Sequence, residues 1–400
     1  MKKVVLGEVC DFFNGGAWSD KEYVNEGIPV LKVTNCKSTG FQLDNLNYLS
    51  EKSREKYKKN NLIIGDIIVA TVGSHPNLKE SAAGRSCIVN SQVEGFYLNQ
   101  NAVCIRTKDK RILSQKYLGY LCKCADFQHY IQSRGRGAAN QMRIAISSIK
   151  EYSFTLPDFE NQQYIADVLS AYDDLIENNQ KQIKLLEEAA QRLYKEWFVD
   201  LRFPGHENTK IVDGVPEGWN EKTLSQVANV IMGQSPKSEF YNSEKKGLPF
   251  HQGVGSYGVR FVMDDIYSTS YTRIAEPNSI LFSVRAPVGR LNITKNKVVI
   301  GRGLAAINQT DGCQSYLYYL LKNKFFKDNI VGNGSIFASV SKDELLNQKF
   351  LIPERNLMMQ FEKIVSQMDK QIENLDSKNK KLIEARDRLL PKLMSGEVEV

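Results

Sequence analysis

Residues 161–198 read NQQYIADVLSAYDDLIENNQKQIKLLEEAAQRLYKEWF, and residues 357–394 read LMMQFEKIVSQMDKQIENLDSKNKKLIEARDRLLPKLM. The two stretches align without a gap, so that Ile176 corresponds to Ile372. A long segment that recurs at a fixed distance indicates an internally repeated chain. We therefore predict two long helices, one near the middle of the chain and one near its end.

The apolar residues of each stretch follow the alternating three- and four-residue spacing of a coiled coil. The first seam comprises Ile176, Asn179, Ile183, Leu186, Ala190, Leu193 and Trp197, and the second comprises Ile372, Leu375, Asn379, Leu382, Arg386, Leu389 and Leu393. A helix packed on its own domain has the same pattern, but two copies on one chain favour pairing of the helices with each other. Each seam contains one Asn, and a buried Asn fixes the register of a coiled coil.

The composition is typical of a soluble, intracellular globular protein. Of the 400 residues, 42% are hydrophobic and 25% are charged, which suits two to four domains. No apolar run approaches the ~18 residues of a membrane span, and seven scattered cysteines favour reduced thiols. The net charge of +7 is a mild bias that fits either solubility or nucleic-acid binding. We expect a cytoplasmic protein without membrane contact.

Two globular heads alternate with the helices. We place a first mixed α/β domain at residues 1–155, a helix at 156–200, a linker at 201–220, a second domain at 221–350 and a second helix at 351–400. The heads repeat loosely, since Leu6-Gly-Glu-Val resembles Leu224-Ser-Gln-Val. Within the first head we predict a polar helix capped by Ser50 and one helix from Ser114 to Ile131.

Signatures of catalysis are missing from the sequence. It has no GxxxxGK[ST] phosphate loop and no GxGxxG after a strand, and its four histidines are not spaced as zinc ligands on a helix. Cys122 and Cys124 fall inside a predicted helix, which favours core packing over metal binding. We therefore expect a binding protein with no catalytic residue, metal or cofactor of its own.

Several loops combine glycine with side chains that suit DNA. Arginine reads guanine edges, Asn and Gln read adenine, and glycine lets the backbone approach phosphates. The candidate DNA-binding residues are Trp18, Lys32, Asn35, Ser74, His75, Arg134, Arg136, Asn140, Gln141, Arg143, Gln234, Ser235, Lys237, His251, Gln252, Arg285, Arg290, Arg302, Asn333 and Ser335. Any one of these loops could be an ordinary turn, but a set borne by two related heads favours a shared binding role.

The centre of the chain resembles a known family. The stretch 193–207, LYKEWFVDLRFPGHE, and the stretch 214–219, GVPEGW, are similar to the central conserved region of type I restriction–modification specificity subunits. Similar matches are LPFHQG at 248–253, VRAPVG at 284–289 and IGRGLAA at 300–306. The first head matches poorly outside Tyr117-Leu and Leu156-Pro, as is expected of a variable target-recognition domain.

The resemblance implies an α+β fold with a pseudo-twofold internal repeat. Two target-recognition domains would each read one half of a bipartite, asymmetric site in double-stranded DNA. The two helices would pack antiparallel as a spacer and dock two methyltransferase subunits, with restriction/translocase subunits joining through the complex. The chain itself would be non-catalytic, and S-adenosylmethionine, ATP and Mg²⁺ would belong to its partners.

Two other classes of protein remain open on the sequence. A fused restriction–methylation enzyme would need an NPPY-type tetrapeptide or a nuclease carboxylate cluster, and the sequence contains neither. A coiled-coil scaffold without a nucleic-acid role would not need the paired loops rich in Arg, Gln and Gly. Both are less consistent with the residues than a DNA-reading subunit.

Overall fold

The computed structural model describes residues 2–37, 40–43, 46–74, 83–138, 141–325 and 339–398. The chain divides into two compact units: unit 1 is Met1–Asn179 with Ser377–Val400, and unit 2 is Gln180–Asp376. Each unit therefore combines one head with a part of each long helix. In the described ranges no helix is long and apolar enough to cross a membrane.

The head of unit 1 is built from short strands and short helices. Its strands are β1 (Lys2–Val5), β2 (Cys10–Asn14), β3 (Tyr23–Val24), β4 (Ile28–Leu31), β5 (Cys36–Lys37), β6 (Gly40–Phe41), β7 (Asn47–Leu49), β8 (Ile67–Ala70), β9 (Val72–Gly73), β10 (Ser86–Ile88), β11 (Tyr97–Leu98), β12 (Ala102–Thr107), β13 (Arg136–Ala138), β14 (Gln141–Arg143) and β15 (Ser153–Leu156). Its helices are α1 (Leu6–Val9), α2 (Gln115–Lys123), α3 (Ala125–Gln132) and α4 (Ile146–Lys150), followed by the long α5 (Phe159–Phe198).

One sheet of unit 1, in the order β10-β8-β12-β2, is buried on both faces. Ile67 and Val69 of β8 pack into the cluster that contains Tyr117 and Leu118 of α2. Ile68, between them in sequence, packs into a separate cluster on the opposite face. Because successive side chains of a strand alternate between faces, burial of both faces explains why β8 is a continuous apolar run rather than an alternating one.

Unit 2 repeats this plan. Its elements are β16 (Ile211–Val212), β17 (Val215–Pro216), β18 (Asn220–Thr223), α6 (Leu224–Val227), β19 (Ala228–Met232), β20 (Tyr241–Asn242), β21 (Leu248–His251), β22 (Tyr267–Ser268), β23 (Ile274–Ala275), β24 (Ile280–Ser283), β25 (Leu291–Ile293), β26 (Val298–Ile300), β27 (Leu304–Gln309), α7 (Gln314–Phe325), α8 (Lys342–Leu346), β28 (Lys349–Ile352) and the long α9 (Arg355–Ser395). The sheet β19-β27-β24-β25 corresponds to β2-β12-β8-β10 of unit 1. Likewise β21 pairs with β26 in parallel, as β4 pairs with β11. The predicted α+β class with two repeated heads and two long helices is confirmed.

Within unit 1 the two long helices run antiparallel. Asn179 Nδ2 of α5 donates to Asn379 Oδ1 of α9 at 2.7 Å, and Asn379 Nδ2 donates to the carbonyl oxygen of Ile176 at 3.4 Å. Almost two turns earlier on α5, Asp173 forms an ion pair with Arg386 of α9, further along that helix. The two seam asparagines are therefore buried partners, an arrangement that fixes one register because any slip would leave their amides unpaired.

We expect the Asn179→Leu variant to lower the free energy of unfolding of unit 1 by about 1–3 kcal/mol, because it removes the donor to the buried Asn379 Oδ1. The double variant Asn179→Leu/Asn379→Leu removes both polar groups and should regain most of that loss. Urea unfolding checks both. The exposed Asn178→Leu is the control, and equal stability of Asn178→Leu and Asn179→Leu would contradict this role for the pair.

Two local predictions in the first head were wrong. The run after Ser50 forms two 3₁₀ turns, Glu51–Ser53 and Lys58–Asn60, although Ser50 Oγ does accept from Lys52 N at 3.3 Å. The helix that begins after Ser114 breaks at Cys124, whose backbone is extended (φ −64°, ψ 146°). The polar run lacks the apolar stripe that stabilises a helix by packing. Cys124 lies between the end of α2 and the start of α3, and its thiol is buried there. This burial outweighs the helical spacing of the apolar residues on either side.

Candidate nucleic-acid interface

In unit 2, three loops meet where β19, β21 and β26 end. Gly233 N donates to the carbonyl oxygen of Leu304 at 2.9 Å, and Gln234 N donates to that of Ile300 at 2.9 Å. Gly301 N donates to the carbonyl oxygen of His251 at 2.8 Å. We call this arrangement, formed by residues 233–237, 251–256 and 301–303, the unit 2 loop cluster.

Glycine is required where these loops touch. A Cβ on Gly233 would lie 2.1 Å from the carbonyl oxygen of Gly301, and a Cβ on Gly303 would lie 2.5 Å from that of Gln252. Real side chains do not approach backbone oxygen atoms so closely, so any larger residue would force the loops apart. These glycines therefore set the close packing of the cluster and are not simply turn residues.

Three predicted residues of the cluster are joined by hydrogen bonds. Arg302 N donates to Ser235 Oγ at 3.1 Å, and the Ser235 hydroxyl donates to Gln252 Oε1 at 2.7 Å. The Gln252 and Arg302 side chains are exposed. Within the part of the chain that the structure describes, Gln252 Nε2 has no hydrogen-bond partner. The cluster thus presents an amide and a guanidinium to solvent from a fixed backbone.

Other predicted residues lie around the same cluster. Val284 N donates to the carbonyl oxygen of Gly303 at 2.9 Å, which places the exposed Arg285 next to the 301–303 turn. Burial raises the pKa of Tyr241, and the nearby positive charge of Arg302 partly opposes that rise. The remaining predicted residues here are the exposed Gln234 and Lys237 and the half-buried Arg290, whose N–H donates to Ser283 Oγ at 2.8 Å.

Two candidate DNA contacts are buried and need correction. The His251 side chain is 0% exposed, its Nδ1 lies 2.8 Å from Ser256 Oγ and its Nε2 lies 3.2 Å from Asp264 Oδ1. Asn35 is also buried, and its side chain accepts from Lys32 N and donates to the carbonyl oxygen of Gln42, both at 2.9 Å. Each side chain holds a loop in shape and has no free face to offer DNA.

Unit 1 has an equivalent arrangement, the unit 1 loop cluster, at the corresponding residues 15–19, 31–36 and 99–101. Gly15 N donates to the carbonyl oxygen of Ala102 at 3.0 Å, Gly16 N to that of Leu98 at 2.7 Å, and Asn99 N to that of Leu31 at 3.0 Å. A Cβ on Gly15 would lie 1.9 Å from the carbonyl oxygen of Asn99. The backbone pattern matches that of unit 2 bond for bond, with β2, β4 and β11 in place of β19, β21 and β26.

The polar side chains of the unit 1 loop cluster differ from those of unit 2. Lys32 Nζ donates to Asn47 Oδ1 at 3.0 Å and lies 5.1 Å from the centre of the Tyr23 ring. Trp18 Nε1 donates to Tyr23 Oη at 3.0 Å, and the Trp18 ring packs edge-on against Tyr57. Both predicted residues are half-buried, so each is held in place while part of it faces solvent.

Gln100 is a member of the unit 1 loop cluster that the sequence analysis missed. It lies in the Asn99-Gln100-Asn101 turn between β11 and β12, where Arg302 lies in unit 2, and its side chain is exposed. This turn lacks the glycines that mark the corresponding loop of unit 2. Alignment of the two heads places these three amide residues on Gly301-Arg302-Gly303. That alignment is the signal by which the sequence identifies Gln100.

A second cationic surface of unit 1 lies on the β13–β14 hairpin. Arg136 and Arg143 are directly opposite each other, both are exposed, and neither forms an ion pair with any residue the structure describes. Like charges opposite each other destabilise a strand pair, so their placement suits an anionic ligand. Arg134, just before the hairpin, stacks on Tyr130 with its guanidinium 3.6 Å from the ring centre.

The other predicted residues of this region are placed only in part. Ser74 directly follows β9, which pairs with β14, and Gln141 begins β14. His75, Asn140, Asn333 and Ser335 lie outside the described residues. The described ranges contain no group of His, Cys, Asp or Glu arranged to hold a metal ion.

Comparison with known proteins agrees with these observations. The type I restriction modification DNA specificity domain matches residues 1–188 and 216–385. A protein of Methanocaldococcus jannaschii, provisionally named the MjaX type I restriction enzyme specificity subunit, is 28% identical over 99% of this chain and 93% of its own length. The HindI specificity subunit of Haemophilus influenzae is 23% identical, with 96% of each chain covered.

The fold also has a solved counterpart. The crystal structure of a type I restriction–modification system S subunit from M. genitalium matches with a TM-score of 0.57 and 19% identity, covering 98% of this chain and 95% of the other. At that identity the likeness shows the fold alone. Taken with the family match across both heads and most of each long helix, it leads to one conclusion: the chain belongs to the type I restriction–modification DNA specificity family.

Proposed function

We propose that each head reads one half of a bipartite, asymmetric site in double-stranded DNA, and that this chain gives a type I restriction–modification complex its sequence specificity. The observation that carries the proposal is the repeated loop cluster. Both heads hold three loops with one backbone pattern, while the exposed side chains differ between the two. Two related scaffolds with unlike contact residues suit a site whose halves differ.

The side chains that reach solvent, three of them exposed and Lys32 half-buried, match the chemistry of DNA. Gln252 and Arg302 in unit 2, and Lys32 and Gln100 in unit 1, are of the types that hydrogen-bond to purine edges in the major groove. Arg136 and Arg143 suit phosphate contacts, which position a protein on the duplex without reading sequence.

We further propose that the long helices act as a spacer and dock two methyltransferase subunits, through which restriction/translocase subunits join. The helices are 40 and 41 residues long, and several apolar side chains on them are exposed. Leu175 and Leu185 of α5 are 51% and 64% exposed, and Met359 of α9 is 51% exposed, so a partner that packs on either helix would bury apolar side chains. S-adenosylmethionine, ATP and Mg²⁺ would belong to those cytoplasmic partners, and this chain would be non-catalytic.

Sequencing of methylated sites in cells with and without this gene tests the proposal as a whole. We expect methylation at a two-part, non-palindromic site with one fixed spacer length. A palindromic site, or a spacer that varies from site to site, would count against two unlike heads on a helical frame. Binding to DNA that is insensitive to both salt and sequence would instead favour a scaffold without a nucleic-acid role.

The two heads should respond to separate substitutions. We expect Arg302→Ala to reduce methylation about tenfold or more through one half-site only, because a lost bidentate base contact costs about 1–3 kcal/mol. We expect Arg136→Ala to weaken binding on all sequences and to lower the salt slope by about one, as a lost phosphate contact does. In vitro methylation and binding by the assembled complex, with duplexes altered in each half, measure both.

The exposed lysines Lys222 and Lys110 provide matched controls in unit 2 and unit 1. Replacing either by alanine removes one positive charge away from the loop clusters and should leave half-site preference unchanged. An equal loss at both half-sites in Arg302→Ala would argue against separate heads.

A further inference from the structure

The repeat places Lys32 and Gln252 at equivalent positions. Each is the first residue after the parallel-paired strand of its head, β4 or β21. Asn99 N bonds to the carbonyl oxygen just before Lys32, and Gly301 N bonds to the one just before Gln252. The two side chains therefore start from the same point of the same loop cluster, although one is a cation and the other a neutral amide.

We propose that this position is the main base-discriminating position of each head, and that a neighbouring side chain fixes which hydrogen-bonding groups it presents to the base. Ser235 orients Gln252 in unit 2, and Asn47 orients Lys32 in unit 1. Both neighbours are positioning residues that need not touch DNA. The inference rests on the proposed DNA-reading role of the heads and adds which residue discriminates, and how.

In unit 2 the hydrogen bonds define the orientation of the amide. The Ser235 hydroxyl accepts from Arg302 N, so its own proton is free to donate to Gln252 Oε1. Rotating the amide by half a turn would leave that proton without an acceptor among the described groups. Nε2 therefore faces outward as a donor, while Oε1 keeps one lone pair. An outward donor beside an acceptor matches N7 and the N6 amino group of adenine.

In unit 1 the holding side chain comes from a different strand. Ala17 occupies the place of Ser235, two residues after the contact glycine, so the hydroxyl relay cannot form. Asn47 on β7 binds the Lys32 ammonium instead, and its counterpart in unit 2, Ile266, has an apolar side chain. Lys32 can only donate, which suits the two acceptors N7 and O6 of guanine. Each head thus has one holding side chain, at a different place.

The test measures binding of the assembled complex to duplex libraries randomised at each position of each half-site. We expect Ser235→Ala to reduce the preference for adenine at one position about fivefold to tenfold, with unchanged affinity for non-specific DNA and unchanged salt slope. Ser235→Thr keeps the hydroxyl and should restore the preference. Ser238→Ala is the matched control, because the exposed Ser238 hydroxyl makes no hydrogen bond to any described residue. The triple variant Ser235→Ala/Gln252→Lys/Ile266→Asn should move the preference at that position to guanine.

The outcomes separate the inference from the proposed function. If Ser235→Ala changes the salt slope, or if Ser235→Thr fails to restore the preference, Ser235 is not a positioning residue. If Ser235→Ala and Gln252→Lys leave the preference intact while Arg302→Ala abolishes it, the inference fails and the DNA-reading role stands. If none of these variants changes either half-site in a folded complex, the proposed role of the loop cluster fails as well.

Discussion

Replacing Arg260 by alanine is expected to lower the free energy of unfolding of unit 2 by about 3–5 kcal/mol, the usual cost of removing one partner of a buried ion pair. The Arg260 side chain is 2% exposed and donates to Asp369 Oδ1 of α9 at 2.6 Å. Its Nη1 lies 3.7 Å from Glu187 Oε1 of α5, and its guanidinium lies 3.7 Å from the centre of the Tyr318 ring of α7. The one side chain connects the head to both helices within its unit.

The charge of Arg260 is secure at every accessible pH. Burial opposes the charged form, but the surrounding tyrosines and carboxylates more than offset this, so the pKa of Arg260 lies above its ordinary value. The alanine variant would therefore leave Asp369 and Glu187 without this cation and would open a cavity. Both the lost charge and the lost packing contribute to the expected cost.

Fluorescence-detected urea unfolding measures the effect, because Trp197 and Trp219 belong to unit 2. Arg273→Ala removes an exposed arginine of the same unit and should change stability by less than about 0.5 kcal/mol. Arg260→Lys keeps the charge without the planar fork and should fall between the two. A loss below about 1 kcal/mol in Arg260→Ala would show that Arg260 contributes little to holding the head on the helices.

The sequence repeat shows which carboxylates of the two long helices correspond, but it does not show which cations bind them. Asp173 and Asp369 are equivalent positions of the two long helices, and both carboxylates bind a cation in the structure. In unit 1 burial opposes ionisation of Asp173, yet the positive charges of Lys123 and Arg386 lower its pKa. Asp173 thus binds Lys123 of the head and Arg386 of α9, whereas Asp369 in unit 2 binds Arg260 of the head. Which cation binds each carboxylate depends on tertiary packing, and a local sequence pattern does not encode that packing.

The long helices were the most predictable part of the fold. Their stretches were placed at residues 161–198 and 357–394, and the helices run over Phe159–Phe198 and Arg355–Ser395. Forty residues of regular apolar spacing outweigh any local exception, even Pro391 inside α9. The strands of the heads are two to six residues long, and their order in the sheets depends on distant pairings, so they carry little local signal.

The loop clusters were predictable by residue type and not by burial. Ser235, Gln252 and Arg302 were selected because such side chains suit DNA, and the structure brings them together. His251 was selected for the same reason, but it is the last residue of β21 and its side chain faces inward. One residue along a strand reverses the face, so type alone cannot separate His251 from its neighbour Gln252.

We expect Gly233→Ala to disrupt the unit 2 loop cluster and to reduce sequence discrimination at one half-site about tenfold or more. Its Cβ would lie 2.1 Å from the carbonyl oxygen of Gly301 and 2.8 Å from that of Leu304. Both are backbone atoms, so no side-chain rotation relieves the overlap. The loops must separate, at a cost of about 1–3 kcal/mol for overpacking, and the bond from Gly233 N to Leu304 is strained or lost.

Gly255→Ala is the matched control, since a Cβ there meets nothing within 4 Å in the same set of loops. Gly15→Ala is the corresponding experiment in unit 1, where the added Cβ would lie 1.9 Å from the carbonyl oxygen of Asn99. Methylation assays with each half-site altered in turn should show Gly233→Ala and Gly15→Ala failing at opposite halves, with Gly255→Ala unaffected. Each steric overlap lies inside one head, so a variant that lost activity equally at both half-sites would indicate unfolding of the whole chain. Wild-type discrimination in Gly233→Ala would show that the close backbone contact does not position the side chains that contact the bases.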